Sequence, residues 1–358
     1  MDFAFSPEQQ ELRRAVRELA ADRSTSGEIR AAIASPTPGF DADLWRLVAR
    51  EMGLAGIGID EDMGGAGGGF MDAAIVIEEA GRALMPAPLL SSLVAGQVLA
   101  GTGTAGRDAL GRVVSGEQVG VLAVVRGSLS AGGIGFGRSG ASALTGAAAN
   151  VLDGPVAGVI LIASPDGLWM LPPDGDGVSL TTRQTLDPTR SQAEVRLDRA
   201  AAVALGDARA AERATDLLRV ALAVEAVGVA RRCLEMTVDY LKSREQFGRV
   251  IGSFQALQHR AADVAVDVEA ATSTAYYAAW AAESAPDELP VVAPLALSVC
   301  AETAAHATAE AIQLHGGIGF TWEHDAHLYF KRATATRLLL GEPHEQRRLV
   351  AARSGLTG

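Results

Sequence analysis

The sequence contains 358 residues, too many for one typical domain, so we expect two or three units with sizeable cores. Hydrophobic residues make up 48% of the chain and charged residues 21%, a balance that excludes disordered and fibrous proteins. The 31 basic and 43 acidic residues give a net charge of −12, which disfavours general binding to nucleic acids or to anionic membranes.

The amino-terminal third is predicted to be helical. Ser6 and Pro7 form an N-cap and an N1 proline, which predicts a helix from about residue 7. Further helical patterns cover residues 41–52 and 71–83. The loop between them, GIGIDEDMGGAGGGF, lacks the Lys-Ser/Thr of a P-loop and follows no clear strand. We therefore interpret its glycines, residues 64–69, as a tight turn between two helices.

The middle of the chain is predicted to form a β domain. Between about residues 118 and 198 the sequence changes to short apolar runs such as VGVLAVV, VAGVILIAS and GVSLTT. Turns rich in Gly, Pro and Asp separate these runs. No helical pattern of about ten residues interrupts them, so an α/β arrangement is not predicted.

From about residue 207 the sequence predicts an antiparallel helical bundle. The first long helix carries apolar residues at spacings of three, four and seven, which lie on one helical face. They are Leu217, Val220, Val224, Val227, Leu234, Val238 and Leu241. A second helix, over residues 257–282, has small apolar residues that permit close helix approach. Further helices are expected over residues 290–314, 325–338 and 344–353.

The turn between the two long helices, SREQFGRVIGSFQALQ, is suited to an anionic ligand. Arg244 is a fixed cation with five donors, and Phe247 and Phe254 are aromatic residues at a helix boundary. Gly248 and Gly252 let a backbone approach a ligand closely. An isolated RxxFG is more often a surface arginine and two core phenylalanines, so this turn alone does not establish a site.

A second glycine motif, QLHGGIGFTWEHD, follows a predicted helix. A dinucleotide fingerprint requires a preceding strand, so a Rossmann site is not predicted. Gly316, Gly317 and Gly319 are consistent with a helix that ends in a left-handed turn. Adjacent backbone N–H groups in such a turn also form a nest for anions, so a pyrophosphate would fit the same geometry.

The cysteines and histidines predict neither a redox nor a metal centre. Cys233 and Cys300 lie in apolar helical patterns without a CxxC partner, and we interpret both as buried thiols. His324 and His327 are three residues apart, but the sequence places no third ligand beside them. The amino terminus lacks the basic and then apolar run of a signal peptide, and no segment approaches 18 uninterrupted apolar residues. We therefore expect a cytoplasmic protein.

Taken together, these motifs resemble the acyl-CoA dehydrogenase family across essentially the whole chain. The resemblance rests on the helical, β and helical order, the SREQFGRVIGSFQ turn, the LHGGIGFTWEHD loop and the EMGLAGIGIDEDMGGAG segment. It implies a mainly α fold with a central β domain. The expected domains are an N-terminal helical domain over residues 1–117, a middle β-barrel over 118–205 and a C-terminal four-helix bundle over 206–358.

The resemblance also implies FAD-dependent α,β-dehydrogenation of acyl-CoA thioesters, with electron-transferring flavoprotein as the acceptor. In that family FAD lies between subunits. The RxxFG and GGxG regions of one subunit reach the adenine and pyrophosphate half of a flavin that the neighbouring subunit mainly holds. The cofactor-binding positions that the resemblance implies here are Arg244, Gln246, Phe247, Phe254, Gln313, Gly316 and Gly317.

The chain departs from the family at the catalytic base, which is a glutamate that removes the α-proton of the thioester. The usual position of that glutamate, directly before a glycine, corresponds to Leu340. Other members carry the base on the long helix, at a position that corresponds to Leu218. A leucine cannot accept a proton. Glu342 and Glu225 are weak substitutes that would require the backbone to shift.

A second departure lies in the β domain. The Thr-Glu-Pro loop that contacts the flavin ring in the family corresponds to Val125, Arg126 and Gly127. The family's Trp-x-Ser/Thr strand has no counterpart near residues 149–153. The elements that serve a neighbour's cofactor are thus retained, whereas those that serve this chain's own flavin ring and base are reduced.

We therefore expect a partner subunit that completes the FAD site of a homologous chain in an α2β2 heterotetramer. It resembles the shorter subunits of actinobacterial heteromeric acyl-CoA dehydrogenases, which often act on steroid side chains. One alternative is a self-sufficient, homo-oligomeric dehydrogenase with Glu342 or Glu225 as its base. Another is a structural homologue without flavin. Whether the acyl group is fatty, branched or steroid does not follow from the sequence.

Overall fold

The computed structural model describes residues 5–125, 130–131 and 142–356. The helices are α1 (Pro7–Arg23), α2 (Ser26–Ile33), α3 (Ala42–Trp45), α4 (Phe70–Arg82), α5 (Leu89–Ala100), α6 (Arg107–Val114), α7 (Ala208–Ser243), α8 (Gln255–Ser284), α9 (Leu289–His315), α10 (Ala326–Leu339) and α11 (Pro343–Arg353). The strands are β1 (Val119–Val124), β2 (Ser130–Ala131), β3 (Ser142–Leu152), β4 (Ala157–Ser164), β5 (Gly167–Leu171), β6 (Val178–Thr182), β7 (Gln192–Gly206), β8 (Glu245–Gln246) and β9 (Arg249–Val250). A helical fold with a sheet in the middle of the chain confirms the predicted fold class.

The first helix begins as the sequence predicts. The side chain of Ser6 accepts a hydrogen bond from the backbone of Gln9, and the side chain of Gln9 accepts one from the backbone of Ser6. This reciprocal capping box satisfies two N–H groups that the start of a helix otherwise leaves unpaired. The helix predicted over residues 41–52 is also present, but its second half is a π-helix, Arg46–Glu51, which the apolar period did not reveal.

The middle sheet has the strand order β1-β4-β5-β7-β3-β2, with β6 paired to the long strand β7. The β1–β4 pair is parallel, and the other pairs of this sheet are antiparallel. These strands span the region for which the sequence predicted a β domain. The chain divides into two compact units, one of residues 1–29, 74–85 and 219–358 and one of 30–73 and 86–218. The three domain bounds expected from the sequence stay a prediction.

The first unit is organised around the carboxyl-terminal part of α7. The sequence predicted one apolar face for this helix, but residues 220–230 are buried on every side. Two glycines allow the backbone of α4 to approach it. A Cβ atom on Gly228 would lie 2.1 Å from the main-chain oxygen of Glu78, and one on Gly81 would lie 2.8 Å from Cγ of Glu225. No larger residue fits at either position without moving the helices.

The close approach of α4 and α7 places two acidic side chains out of contact with water. Glu78 and Glu79 are at most 1% exposed. Glu78 accepts hydrogen bonds from Arg13, Arg231 and the hydroxyl of Tyr276, the last of which is very short. Burial and the adjacent Glu78 carboxylate raise the pKa of Tyr276. These partners come from α1, α7 and α8, so one carboxylate joins four helices.

Glu79 is neutralised in the same way from α1. Arg17 holds it with two hydrogen bonds, 2.9 and 2.6 Å long. This contact raises the pKa of Arg17. Buried charges are costly unless they are paired and hydrogen-bonded. The arginines of α1 therefore stabilise the burial of Glu78 and Glu79.

The remaining bundle helices pack around α9, which contacts α8, α10 and α11. Among the described residues one helical segment, Leu289–Phe320, is long and apolar enough to cross a membrane by length and composition. Within its apolar window 56% is buried inside the protein, as expected for the core helix of a bundle. Cys233 and Cys300 are buried free thiols, as predicted, and burial raises the pKa of each. The cytoplasmic location stays a prediction.

Replacing Glu78 tests whether this carboxylate holds the four helices together. We expect Glu78→Ala to lower the free energy of unfolding by about 3–5 kcal/mol, because it leaves two arginines and a buried hydroxyl without their shared acceptor. Urea denaturation measures the change. The control is Glu11→Ala on the exposed side of α1, where the Glu11–Arg14 pair should contribute at most about 1 kcal/mol. Equal effects of the two substitutions would contradict this role for Glu78.

Candidate functional site

The end of α7, the start of α8 and the end of α9 enclose an open groove of about 310 Å³. It contains five of the predicted cofactor-binding residues, together with two residues that the sequence analysis missed, Tyr240 and His315. The groove is lined by Tyr240, Arg244, Gln246, Ile251, Leu257, Arg260, Gln313, Leu314, His315, Gly316 and Gly317. The predicted residues Phe247 and Phe254 flank the groove rather than line it.

One wall of the groove carries an unneutralised cation. The side chain of Arg244 is exposed, and the described part of the chain offers it no acidic partner within ion-pair distance. Arg260 also lines the groove, but two 2.7 Å hydrogen bonds tie it to Glu310. This pair raises the pKa of Arg260 and lowers the pKa of Glu310. The charge that remains for an anionic ligand is therefore that of Arg244.

Two glycines at the end of α9 leave backbone open at the groove. Gly316 has φ 62° and ψ −139°, a conformation that is essentially restricted to glycine. The sequence predicted a left-handed turn here, but ψ is extended and the chain continues as a 3₁₀ helix, Gly316–Phe320. A Cβ atom added to Gly316 or Gly317 would have no atom within 4 Å, whereas one on Gly319 would lie 2.6 Å from a main-chain oxygen. The first two glycines therefore leave the backbone open to a ligand, and the third packs the turn onto α9.

The hairpin of β8 and β9 carries backbone strain. Its central residues, Phe247 and Gly248, have φ 54° and 74°. Positive φ at both central positions is typical of a type I′ turn, which prefers Asn-Gly. A bulky residue held in this conformation costs of the order of 1–3 kcal/mol. Phe247 is also 90% exposed, so burial within this chain does not offset the strain.

Phe254 supports this hairpin. Its ring lies edge-to-face with that of Phe247, with centroids 6.2 Å apart. The guanidinium of Arg249 lies 4.0 Å from the centroid of the Phe254 ring. Phe254 therefore packs against the strained turn, while the side chain of Phe247 stays exposed to solvent. Strained residues that the surroundings maintain are typical of binding and catalytic sites.

Two residues that line the groove, Tyr240 and His315, belong to a column of three rings that continues to His324. Tyr240 stacks on His315 with centroids 4.6 Å apart, and His315 lies 4.4 Å from His324. His315 is 3% exposed. Burial lowers the pKa of both imidazoles, and in the case of His324 the neighbouring His315 lowers the pKa further. The sequence signal for His315 was its place directly before Gly316, but only the fold shows what it stacks on.

The two positions expected to carry a base are occupied by leucine. Leu218 is 7% exposed on α7, and Leu340 is half-buried at the end of α10. The amide of the buried Gln346 donates to the main-chain oxygen of Leu340, and the same side chain accepts a hydrogen bond from Arg219. The turn that contains Leu340 is therefore fixed, and it presents no proton acceptor from its own side chain.

The two weak substitutes are both engaged elsewhere. Glu342 is the N-cap of α11, where its side chain and that of Glu345 accept reciprocal hydrogen bonds from the backbone. Glu225 is 5% exposed and lies 2.8 Å from Arg332, with Thr336 at 3.4 Å. One carboxylate caps a helix and the other closes a buried ion pair. Neither faces the groove.

Two further expectations from the sequence concern the loop at residues 125–127 and metal binding. Of the loop expected to replace the family's flavin-ring contacts, Val125 is buried, whereas Arg126 and Gly127 lie outside the described residues. Among the residues that the structure describes, no group of three or more His, Cys, Asp or Glu side chains is arranged to hold a metal ion. The groove can therefore bind an anion through a cation and backbone donors, but it contains no aimed carboxylate.

Comparison with known proteins identifies relatives over nearly the full length of the chain. Residues 6–117 match the family model for the acyl-CoA dehydrogenase N-terminal domain, and residues 208–355 match that for the C-terminal domain. The chain is 37% identical over 340 residues to acyl-CoA dehydrogenase IpdE2 of Mycobacterium tuberculosis, a match that covers 94% of each sequence.

Two solved structures have the same fold. A variant of the Tcur3481-Tcur3483 steroid ACAD is 31% identical with a TM-score of 0.86, covering 98% of both chains. A chain of the ChsE4-ChsE5 complex from Mycobacterium tuberculosis is 28% identical with a TM-score of 0.90, covering 100% of both chains.

The strain at Phe247 yields a test that separates a structural role from a binding role. We expect Phe247→Asn to raise the free energy of unfolding by roughly 1 kcal/mol, because asparagine tolerates positive φ far better than phenylalanine. Thermal and urea denaturation measure the change. Gly248→Ala is the matched control and should destabilise the same turn. A loss of stability in Phe247→Asn would show that the phenylalanine supports the fold of its own chain.

Proposed function

Because this chain belongs to the acyl-CoA dehydrogenase family, we propose that it is a partner subunit that completes the FAD site of a homologous chain and supplies no catalytic base. One observation carries the proposal. The groove keeps a free cation and open backbone, while both base positions are leucine and both nearby glutamates are held in structural contacts. We therefore assign cofactor binding to this chain and proton removal to the homologous chain.

The groove fits part of a dinucleotide. Arg244 provides a guanidinium for the pyrophosphate oxygens, and Gly316 and Gly317 leave the room that the backbone needs to approach them. Gln246 and Gln313 line the same groove and offer amide groups to polar atoms of the ligand. Phe247 lies beside the groove, and its ring is exposed, so it can contact the adenine ring of FAD or a partner chain. These residues would hold the adenine and pyrophosphate half of FAD.

When it is bound, FAD would accept a hydride from the β-carbon of an acyl thioester. The α-proton must then leave to a positioned base, which contributes roughly 10²- to 10⁴-fold to such a reaction. Leu340 and Leu218 offer none. The chain's own contribution is therefore to hold and orient the cofactor, and the base belongs to the homologous subunit.

The surface beside the groove is suited to a protein partner. Phe320 is 89% exposed and Trp322 is 73% exposed, and both follow directly from the glycine turn that lines the groove. With Phe247 they form a set of exposed aromatic side chains, a composition typical of protein interfaces. The two solved relatives are each named as pairs of proteins, and one is named a complex. These observations support an assembly of two kinds of subunit, for which we propose the α2β2 stoichiometry.

The substrate is proposed to be an acyl-CoA thioester. A steroid acyl group is supported by the relative named as a steroid ACAD. Electron-transferring flavoprotein is proposed as the electron acceptor and the cytoplasm as the location of the assembly. These finer assignments extend the family membership and are tested with it.

Co-expression with a longer family member tests the cofactor role directly. We expect the chain alone to be nearly colourless and the co-purified assembly to carry flavin with absorbance near 450 nm. Arg244→Gln should weaken FAD binding about 10-fold or more, since a charge-assisted bond to phosphate contributes roughly 1.5–3 kcal/mol. Arg14→Gln is the control, because Arg14 is exposed on α1, pairs with Glu11 and does not line the groove; it should leave FAD binding unchanged. A yellow, active assembly of this chain alone would contradict the proposal.

Removing the two glutamates tests the self-sufficient alternative. We expect Glu342→Gln to leave turnover of the assembly within about twofold, because this side chain only caps α11 and glutamine retains an acceptor oxygen. Glu225→Gln should lower stability while leaving turnover per folded molecule unchanged. Steady-state rates, normalised to flavin content, measure both. A loss of about 10²-fold or more in either variant, with flavin retained, would identify that glutamate as a base.

A further inference from the structure

We propose that His315 takes up a proton when an anionic dinucleotide fills the groove, so that cofactor loading by this chain is proton-coupled. The inference rests on the proposed function, because it requires a pyrophosphate to lie in this groove. It concerns a residue beneath the ligand rather than one of the cations or backbone donors already assigned to it.

His315 is a buried titratable residue in the lining of the groove. Its residue lines the groove directly before Gly316 and Gly317, the two glycines that leave the backbone open. Its ring contacts those of both Tyr240 and His324. A charge placed in the groove would therefore act on this imidazole across little or no water, where electrostatic effects are strong.

The hydrogen bonds of the two imidazoles determine which one can gain a proton. Nδ1 of His315 lies 2.6 Å from the carbonyl oxygen of Ala311, so this nitrogen donates and Nε2 is the basic atom. Nδ1 of His324 instead accepts from the backbone N–H of Ala326 at 3.1 Å, at the start of α10. Protonation of His324 at that atom would break this contact and place a cation at a helix N-terminus. An added proton therefore goes to Nε2 of His315.

Opposing influences act on the pKa of His315, and the effect of burial is the largest. Burial is the main effect that lowers its pKa, whereas the carbonyl groups of Ala311 and Met236 favour the charged ring. The other charged and titratable groups around the column lie on every neighbouring element. They are Tyr240 on α7, Arg244 directly after α7, Arg260 on α8, Glu310 on α9, His324 and Asp325 directly before α10, and His327 on α10. Of these, Arg260 and Glu310 neutralise each other, which leaves Arg244 as the charged side chain in the lining of the groove that is not paired with an acid.

An anionic ligand brings negative charge into the groove beside the ring. It favours the imidazolium, so the pKa of His315 in the bound state is higher than in the free state. Affinity is therefore highest below the pKa of the free state and falls as the pH rises through the pKa of the bound state. An opposite charge within about 4–6 Å shifts a pKa by about 1–3 units, so the affinity should change by at least about 10-fold across this window.

Titration of FAD into the deflavinated co-expressed assembly tests the inference. FAD is a suitable probe because its pyrophosphate does not titrate in this range. Calorimetry in two buffers of different ionisation enthalpy gives the number of protons taken up, and titrations between about pH 5.5 and 8.5 give the affinity profile. We expect net proton uptake near neutral pH and an affinity that falls at least about 10-fold towards alkaline pH.

Two matched variants assign the proton. His315→Asn keeps a donor towards the carbonyl of Ala311 but cannot titrate, so it should bind FAD without proton uptake and with a flat pH profile. His324→Asn keeps an acceptor for the N–H of Ala326 and removes only the second ring, so uptake should persist. Uptake that survives in His315→Asn, or a parent protein that binds FAD with no proton uptake, would overturn the inference. Failure of FAD to bind at any pH would instead overturn the proposed function, and the parent measurement stands even if His315→Asn does not fold.

Discussion

The contact between α4 and α7 is the constraint on which the first compact unit depends. Two glycines, Gly81 and Gly228, bring the helices so close that a Cβ on either would collide with the facing helix. The same approach removes Glu78, Glu79 and Glu225 from water. Buried carboxylates require fixed cations, and arginines from α1, α7 and α10 provide them. The helical arrangement and the burial of Glu225 on α7 thus share one physical origin.

Much of the helical architecture could be predicted because it depends on local rules. The N-cap at Ser6 and the long helices are read from spacing and from cap residues. Other features depend on tertiary contacts that leave no period in the sequence. The helix α5 is buried on nearly all sides and so has no polar face to reveal it. The π-helical turn after Trp45 is likewise invisible to an apolar pattern.

The site divides in the same way. The glycines and Arg244 could be recognised because backbone conformation and phosphate binding restrict the residue type. The conformation of Gly316 nevertheless differs from the expected left-handed turn, since the chain enters a 3₁₀ helix rather than leaving the bundle. Tyr240 and His315 were missed because residues far apart in the chain stack only after α7 and α9 pack. The structural partner of Glu225, Arg332, could not be identified from sequence for the same reason.

The exposed rings of Phe247, Phe320 and Trp322 have a consequence for the supply of this chain in the cell. A copy synthesised in excess of its partner would present these rings to chaperones and proteases, which recognise apolar surface. Unassembled molecules should therefore be short-lived. If the proposed assembly forms, natural selection should favour balanced production of the two chains. Surplus copies would be recognised by their exposed aromatic surface and removed.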